Sequence, residues 1–346
     1  MLGSMNIIYF YNQGEEWEKE YVAGKLGTAG GVSLSFLAGS VQDHPEYRND
    51  DAEMLAVFVN SHIGKDELER FPKLKFIAAR STGYDNIDLA EAVRRGITVS
   101  NVPTYGENTV AELAFALLLM VSRKMYDAYK QVEQDGNFSK AGLTGFDLKG
   151  KTIGVVGTGH IGAHSVKIAK GFDMEVIAYD PFPKPDLEKE LGFKYVSLDE
   201  LFAASDIITI HVPYLPATHH LIGMGNVGKI KRGCVLINTA RGQIVETDAL
   251  VHGLKDGTFL GAGLDVLEEE NYMGDETALL FQEHPNAESL KTVLGNHYLI
   301  DHPRVIITPH NAFNTREAIT RILDTSLDNI KSFATGTPKN IVAVKK

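Results

Sequence analysis

Lys151-Thr152-Ile153-Gly154-Val155-Val156-Gly157-Thr158-Gly159-His160-Ile161-Gly162 is the stretch that decides the fold. It opens as a buried strand, Thr152–Val156, turns through glycines at 157, 159 and 162, and leads into a helical run, Ala163–Lys170. This is the G-x-G-x-x-G spacing of a dinucleotide-binding turn. Gly157 permits the tight turn and Gly159 lets the backbone approach a pyrophosphate. Gly162 lets the helix pack on the strand, so that its N-terminal dipole faces the phosphates. A bare glycine pattern is also an ordinary structural turn, but the flanking strand and helix favour the ligand. A second strand, Met174–Tyr179, ends at Asp180, 18 residues beyond Gly162, where a carboxylate can bind ribose hydroxyls. A nicotinamide dinucleotide is the implied ligand.

Outward from this turn, strand-like apolar runs alternate with helical segments along the whole chain, the pattern of α/β proteins with parallel sheets. The first hundred residues offer strands at Asn6–Tyr11, Ser33–Leu37, Leu55–Val59, Phe76–Ala79 and Thr98–Asn101, with helices at Glu15–Leu26, Lys65–Phe71 and Asn86–Arg95. They make one small doubly wound domain. A long apolar helix from Gly106 to Met125 reads as a connector. A second series follows with six strands: Thr152–Val156, Met174–Tyr179, Ile207–Val212, Cys234–Asn238, Gly261–Asp265 and Val305–Thr308. The periodic helix Thr315–Ala334 is expected to return to the first domain, making that domain discontinuous. Residues 271–301 show no clear strand signal, and loops of such length are often functional.

The chain has 346 residues, enough for two domains with real cores. A net charge of −11 with no basic stripe argues against a nucleic-acid surface. The single cysteine, Cys234, excludes an internal disulfide framework, fits a reducing compartment and reads as an inert core thiol. No signal peptide is evident, and Met1-Leu2-Gly3-Ser4 before Met5 resembles a leftover of cloning. The longest apolar run, Leu113–Val121, is too short to span a bilayer. The cytoplasm is the expected location.

Ligands of open α/β sheets sit beyond the carboxyl ends of the strands, so polar residues there carry most weight. An arginine (Arg241), a glutamate cluster (Glu268-Glu269-Glu270) and a histidine (His310) all emerge at such ends. Hydride transfer to a ketone carbon leaves a developing alkoxide that must be protonated. Histidine suits that task, and a neighbouring carboxylate keeps its proton available. An arginine can bind a substrate carboxylate through two parallel hydrogen bonds. Each residue also has a bland reading: Arg241 as a helix-end ion pair, Glu270 as part of a solvated acidic face, His310 as a turn histidine. Their common location raises them above it. No other histidine shows ligand spacing. The adjacent His219 and His220 are expected to diverge, so no metal site is inferred.

At this point the residues resemble the D-2-hydroxyacid dehydrogenase family across nearly the whole chain. The matching stretches are 154–162 (Gly-Val-Val-Gly-Thr-Gly-His-Ile-Gly), 211–213 (His-Val-Pro), 238–242 (Asn-Thr-Ala-Arg-Gly), 264–270 (Leu-Asp-Val-x-Glu-x-Glu) and 308–313 (Thr-Pro-His-x-Ala-Phe). The first half adds Arg-Ser-Thr-Gly-Tyr-Asp-Asn-Ile-Asp at 80–88 and Asn-Val-Pro at 101–103, closest to the D-lactate dehydrogenase branch. The resemblance implies an NAD-binding Rossmann domain, 104–311, inserted in a smaller flavodoxin-like substrate domain, 1–103 and 312–346, with the active site in the cleft between them. It implies Arg241 as binder of the substrate carboxylate and carbonyl, His310 as acid/base, and Glu270 as the histidine's partner, with Glu268 and Glu269 as near misses. Cofactor contacts carried over are Gly157, Gly159, His160, Ile161 and Gly162 at the turn, Asp180 at the ribose, and Val212 and Pro213 at the adenosine side. Thr218, Thr239, Ala240, Arg241 and Asp265 complete them. Backbone N–H groups of Ser81, Thr82, Gly83 and Tyr84 would receive the substrate carboxylate. A homodimer joined through the cofactor domain is also implied, the helix from Gly106 contributing.

Two departures stand out. Where D-lactate enzymes of this branch tend to place a substrate-facing tyrosine, this chain has Asn60, which suits a different or more polar substrate side chain. The separation from Glu270 to His310 is longer than usual, so residues 271–301 read as an insertion bordering the cleft and limiting access. Asp180, followed by Pro181-Phe182-Pro183 with no arginine, favours NAD over NADP. The expected activity is reversible reduction of a pyruvate-like 2-keto acid, with glyoxylate or hydroxypyruvate as alternatives. Rivals on the same scaffold are an NAD(H)-sensing binding protein and formate or phosphite oxidation; formate enzymes are expected to carry an amide in place of Glu270. Phosphoglycerate oxidation is disfavoured, since no regulatory domain fits after residue 346.

Overall fold

The structure is a computed structural model that describes residues 5–12, 16–26, 32–273 and 287–342. Residues 1–4 and most of 271–286, on which two of the sequence expectations fall, lie outside the described residues. The chain divides into two compact units, Met1–Tyr105 with Thr315–Lys346, and Gly106–Asn314.

In the first unit the elements are β1 (Met5–Tyr11), α1 (Glu16–Leu26), β2 (Val32–Ala38), β3 (Met54–Val57), α2 (Lys65–Glu69), β4 (Phe76–Ala79), α3 (Leu89–Arg94) and β5 (Thr98–Ser100). The strands form a five-stranded parallel sheet in the order β2-β1-β3-β4-β5. That is the flavodoxin-like doubly wound order. Successive residues of β1 point to opposite faces: Ile8 and Phe10 enter one core, Ile7, Tyr9 and Tyr11 the other. Both faces are covered, which is why the strands read as unbroken apolar runs.

The second unit begins with α4 (Glu107–Ser122) and α5 (Met125–Asp135). It continues through β6 (Thr152–Val156), α6 (His160–Gly171), β7 (Glu175–Tyr179), α7 (Pro185–Leu191), β8 (Lys194–Tyr195), α8 (Leu198–Ala204) and β9 (Ile207–Ile210). It ends with β10 (Cys234–Asn238), α9 (Thr247–Asp256), β11 (Phe259–Leu264), α10 (Ala287–Ile300) and β12 (Val305–Ile307). Its seven-stranded parallel sheet runs β12-β11-β10-β9-β6-β7-β8, a Rossmann order in which the sequence of strands reverses between β6 and β9. The last helix, α11 (Arg316–Ala334), belongs to the first unit. There Ile319, Leu323, Leu327 and Ile330 pack on the β1 face, and Phe333 stacks on Phe76 at 4.4 Å.

Three features differ from the sequence reading. The sheet has a seventh strand, the two-residue edge β8. The apolar helix ends at Ser122, because Lys124 takes a left-handed conformation (φ 50°), and a separate helix follows. Part of the 271–301 stretch is the helix α10, which lies against α9. Cys234 is buried and free, and burial pushes its thiol pKa up. Among the described residues no helix is long and apolar enough to cross a membrane.

Candidate active site

The glycine turn joins β6 to α6 at the point where the strand order reverses. Each glycine has a separate physical reason. Gly157 sits at φ +93°, and a methyl there would meet the Val212 Cγ1 atom at 2.8 Å and the His211 carbonyl carbon at 2.9 Å. A methyl on Gly162 would overlap the Gly157 carbonyl oxygen, so only glycine lets α6 come this close. Gly159 is different: a methyl there meets nothing within 4 Å. It opens a free space in front of the α6 N-terminus, whose first N–H groups have no intrahelical acceptor and which no side chain caps. Gly159 and His160 are exposed and Ile161 is half-buried.

Asp180, just past β7, is tied to this turn. One carboxylate oxygen accepts the Thr158 N–H at 2.8 Å and its hydroxyl at 2.9 Å, and the other accepts the Phe182 N–H at 2.9 Å. Beyond β9, Val212 packs beneath Gly157 and Pro213 is exposed, while the Thr218 hydroxyl turns inward, 2.7 Å from the Pro213 carbonyl. His211 places Nε2 2.9 Å from the Ser165 hydroxyl on α6 and 3.0 Å from that of Thr209, and burial pushes its pKa down to about 3. It is therefore a neutral strut between α6 and β9. Beyond β10 the Thr239 hydroxyl is buried and has no hydrogen-bond partner among the described residues. That orphaned hydroxyl and the space at Gly159 are what a dinucleotide would satisfy and fill, so the residues present fit the cofactor.

The three candidate chemical residues follow three neighbouring strands of the second unit, β10, β11 and β12. Asn238 accepts the Ala240 N–H at 3.0 Å and donates to the Arg241 carbonyl at 2.9 Å, a turn that sets the Arg241 backbone. Arg241 Nη1 donates to the Ala240 carbonyl at 2.8 Å. Gly242 then lies so close to the Leu267–Glu268 peptide that any side chain would overlap it. His310 carries a left-handed backbone (φ 50°), uncommon and costly for a non-glycine residue. Asp265 supplies the compensation. Its carbonyl accepts the His310 N–H at 2.8 Å, and its carboxylate accepts the Thr308 hydroxyl at 2.5 Å and the Asn311 and Ala312 N–H groups at 2.8 Å each. Burial is the larger influence on this carboxyl and pushes its pKa up. Asp265, expected as a cofactor contact, also anchors the turn that holds His310.

His310 Nδ1 lies 2.7 Å from Glu270 Oε1, with both side chains about one-third exposed. Glu270 Oε2 accepts the Leu267 N–H at 3.1 Å. The neighbouring acids have other work. Glu268 accepts from the Thr247 N–H (2.6 Å) and hydroxyl (2.7 Å) and pairs with His220 Nε2 (2.7 Å), while Glu269 accepts from Ser289 (3.1 Å). His219 and His220 do not diverge: a left-handed His220 (φ 49°) stacks their rings at 3.9 Å. Among the described residues no three His, Cys, Asp or Glu side chains are grouped to hold a metal ion.

In the first unit, residues 81–84 follow β4. The Ser81 hydroxyl donates to the Gly83 carbonyl at 2.6 Å, the Thr82 hydroxyl to Val102 at 2.8 Å, and Asn101 to the Thr82 carbonyl at 2.9 Å. Tyr84 is half-buried. Arg80, just before this loop, is fully buried and pairs with Glu18 of α1 and with Tyr9, whose pKa burial raises to about 12.

A Rossmann sheet whose strand ends carry a carboxylate-paired histidine and an arginine defines a dinucleotide-dependent dehydrogenase. The model of the D-isomer specific 2-hydroxyacid dehydrogenase NAD-binding domain matches residues 115–312. A glyoxylate reductase of Thermococcus litoralis is 40% identical over 300 residues, 84% of each chain. A D-lactate dehydrogenase of Escherichia coli is 34% identical over 324 residues, covering 93% of this chain and 95% of its own. The structure of an Aquifex aeolicus D-lactate dehydrogenase complexed with NAD and lactic acid superposes with a TM-score of 0.83 at 32% identity, over 98% of this chain and 100% of the other. The chain belongs to the NAD-dependent D-2-hydroxyacid dehydrogenase family, and NAD is its cofactor.

Proposed function

We propose that this protein reversibly reduces a small, pyruvate-like 2-keto acid to the D-2-hydroxy acid, with His310 as acid/base. The observation that carries the reading is the 2.7 Å contact between His310 Nδ1 and Glu270. Glu270 accepts a hydrogen bond from Nδ1–H, fixes the ring's orientation and stabilises the imidazolium, leaving Nε2 to give its proton to the substrate oxygen. NADH, when bound, supplies the hydride to the carbonyl carbon. Arg241 holds the substrate carboxylate and polarises the carbonyl, and the N–H groups of residues 81–84, in a first unit that serves as the substrate domain, add to the carboxylate's binding. His160, Ile161 and Asp180, with Val212, Pro213, Thr218, Thr239 and Ala240, line the cofactor's path. Asp180 favours NADH over NADPH, since it would repel a 2′-phosphate.

The homodimer reading draws support from α5, none of whose residues is buried. Met125, Tyr126, Tyr129 and Val132 are exposed on it, and Phe138 beyond it is 82% exposed. Apolar surface gathered in one place suits a subunit interface. A cytoplasmic location accords with the single free cysteine.

Glyoxylate or hydroxypyruvate is the second reading, favoured by the 40% identity to a glyoxylate reductase. The test is NADH oxidation with glyoxylate, pyruvate, hydroxypyruvate, 2-ketoisocaproate and phenylpyruvate, repeated with NADPH and with His310→Ala, and chiral analysis of the product. Turnover of a small keto acid to the D product is expected, higher kcat/KM with NADH, and a loss of roughly 10²–10⁴-fold in kcat for His310→Ala. NADH binding without turnover of any of the five favours the sensor and sinks the proposal.

A further inference from the structure

The loop that carries Glu270 is held from outside by a residue with no place yet in the chemistry. Asn296, on α10, is completely buried and donates from Nδ2 to the Glu268 carbonyl at 2.6 Å. Among the described residues its Oδ1 is buried without a partner. A buried amide with half its capacity unmet is costly, and a nonpolar side chain would avoid that cost. The hydrogen bond to Glu268 is what the site gains in return. The Glu268 side chain is clamped by Thr247 and His220, so with Asn296 the residue is fixed at both its carboxylate and its carbonyl. The chain then passes through a left-handed Glu269 (φ 54°) and delivers Glu270 to His310.

We propose that Asn296 is a positioning residue for the Glu270–His310 pair, and that α10 is therefore part of the acid/base machinery. This rests on the role given to His310 above. Only Glu269 lies between the fixed Glu268 carbonyl and Glu270, so a released carbonyl lets the Glu270 side chain swing on a short lever. A displacement of about 1 Å in such a group is worth up to 10²-fold in rate. The other groups at this junction are the Glu268 carboxylate with His220, the Glu269 carboxylate held by Ser289, and the Met273 sulfur 3.8 Å from Nδ2; Lys291 of α10 is paired with Asp248.

Asn296→Leu and Asn296→Asp test this beside His310→Ala. Asn296→Leu is expected to lower kcat about 10- to 100-fold while the keto-acid KM and the NADH Kd stay within about twofold. Asn296→Asp keeps the size, but its carboxyl donates to the Glu268 carbonyl only when protonated. Its kcat relative to the parent's is therefore expected to rise as pH is lowered, which a purely structural role would not produce. A kcat within twofold of the parent for Asn296→Leu, or a pH-independent ratio for Asn296→Asp should the leucine variant not fold, overturns the proposal. Wild-type turnover in His310→Ala instead overturns the reading beneath it.

Discussion

Two alanine substitutions in the glycine turn should separate cofactor binding from folding. At Gly159, with φ −65° and ψ −165°, alanine fits the backbone, and its methyl meets nothing within 4 Å. Restricting the unfolded chain stabilises by about 0.4–1 kcal/mol, and replacing glycine at a helix N-cap costs a similar amount. The net change in folding stability is therefore near zero. The methyl instead fills the space in front of the α6 N-terminus. Pushing a pyrophosphate off one or two of those N–H groups forfeits a charged hydrogen bond of about 1.5–3 kcal/mol, or roughly 10- to 150-fold in Kd. At Gly162 the methyl overlaps the Gly157 carbonyl oxygen and lies 3.0 Å from its carbon, both backbone atoms of the turn itself. Separating helix and turn costs on the order of 1–3 kcal/mol, more than the roughly 1 kcal/mol that alanine gains as a helix former. Calorimetric unfolding without cofactor and NADH titration together give the answer. Gly159→Ala should unfold like the parent and bind NADH weakly, whereas Gly162→Ala should unfold earlier and also bind weakly. Gly159→Ala binding NADH within twofold of the parent would refute the claim that this space is the phosphate cradle.

Other outcomes follow from buried charge. His211 titrates at about 3 in the folded state against an ordinary value of 6.5, so between those values the unfolded chain binds the extra proton. Stability contributed by the neutral ring is complete above pH 6.5 and is lost as pH falls toward 3, by at most about 1.4 kcal/mol per pH unit. Melting temperatures from pH 7.5 to 5 should fall less steeply for His211→Gln than for the parent, and parallel curves would count against the assignment. Glu18→Ala leaves the Arg80 guanidinium buried without its carboxylate and should cost about 3–5 kcal/mol. Chemical denaturation should show that loss shrinking when Arg80→Met is added; an unchanged loss in the double variant would mean the pair is not coupled.

The core strands were legible because a sheet covered on both faces needs apolar residues at every position, so each strand stands out as a short unbroken apolar run. Edge strand β8 was not, since Lys194 is exposed and Tyr195 half-buried, and two residues carry no period. The helix break at Lys124 was equally silent. A lysine in the left-handed region bears none of the glycine signature of a helix end, and the apolar residues after it face outward rather than into a core. Arg241, Glu270 and His310 could be picked out as candidates because the carboxyl ends of parallel strands are where an open sheet binds ligands, and of the three the structure pairs Glu270 with His310. Choosing among three consecutive glutamates was beyond any spacing rule, and resemblance alone singled out Glu270. The physical discriminator is conformational: a left-handed Glu269 turns the chain, sending Glu268 to Thr247 and His220, Glu269 to Ser289, and Glu270 to His310. The same kind of turn at His220 stacks two rings that extended backbone would have pointed apart. Asn296 reaches its carbonyl partner across 28 residues, and a carbonyl belongs to every residue alike. A side chain that works through the backbone therefore leaves no pair of residue types to read, however close to the chemistry it lies.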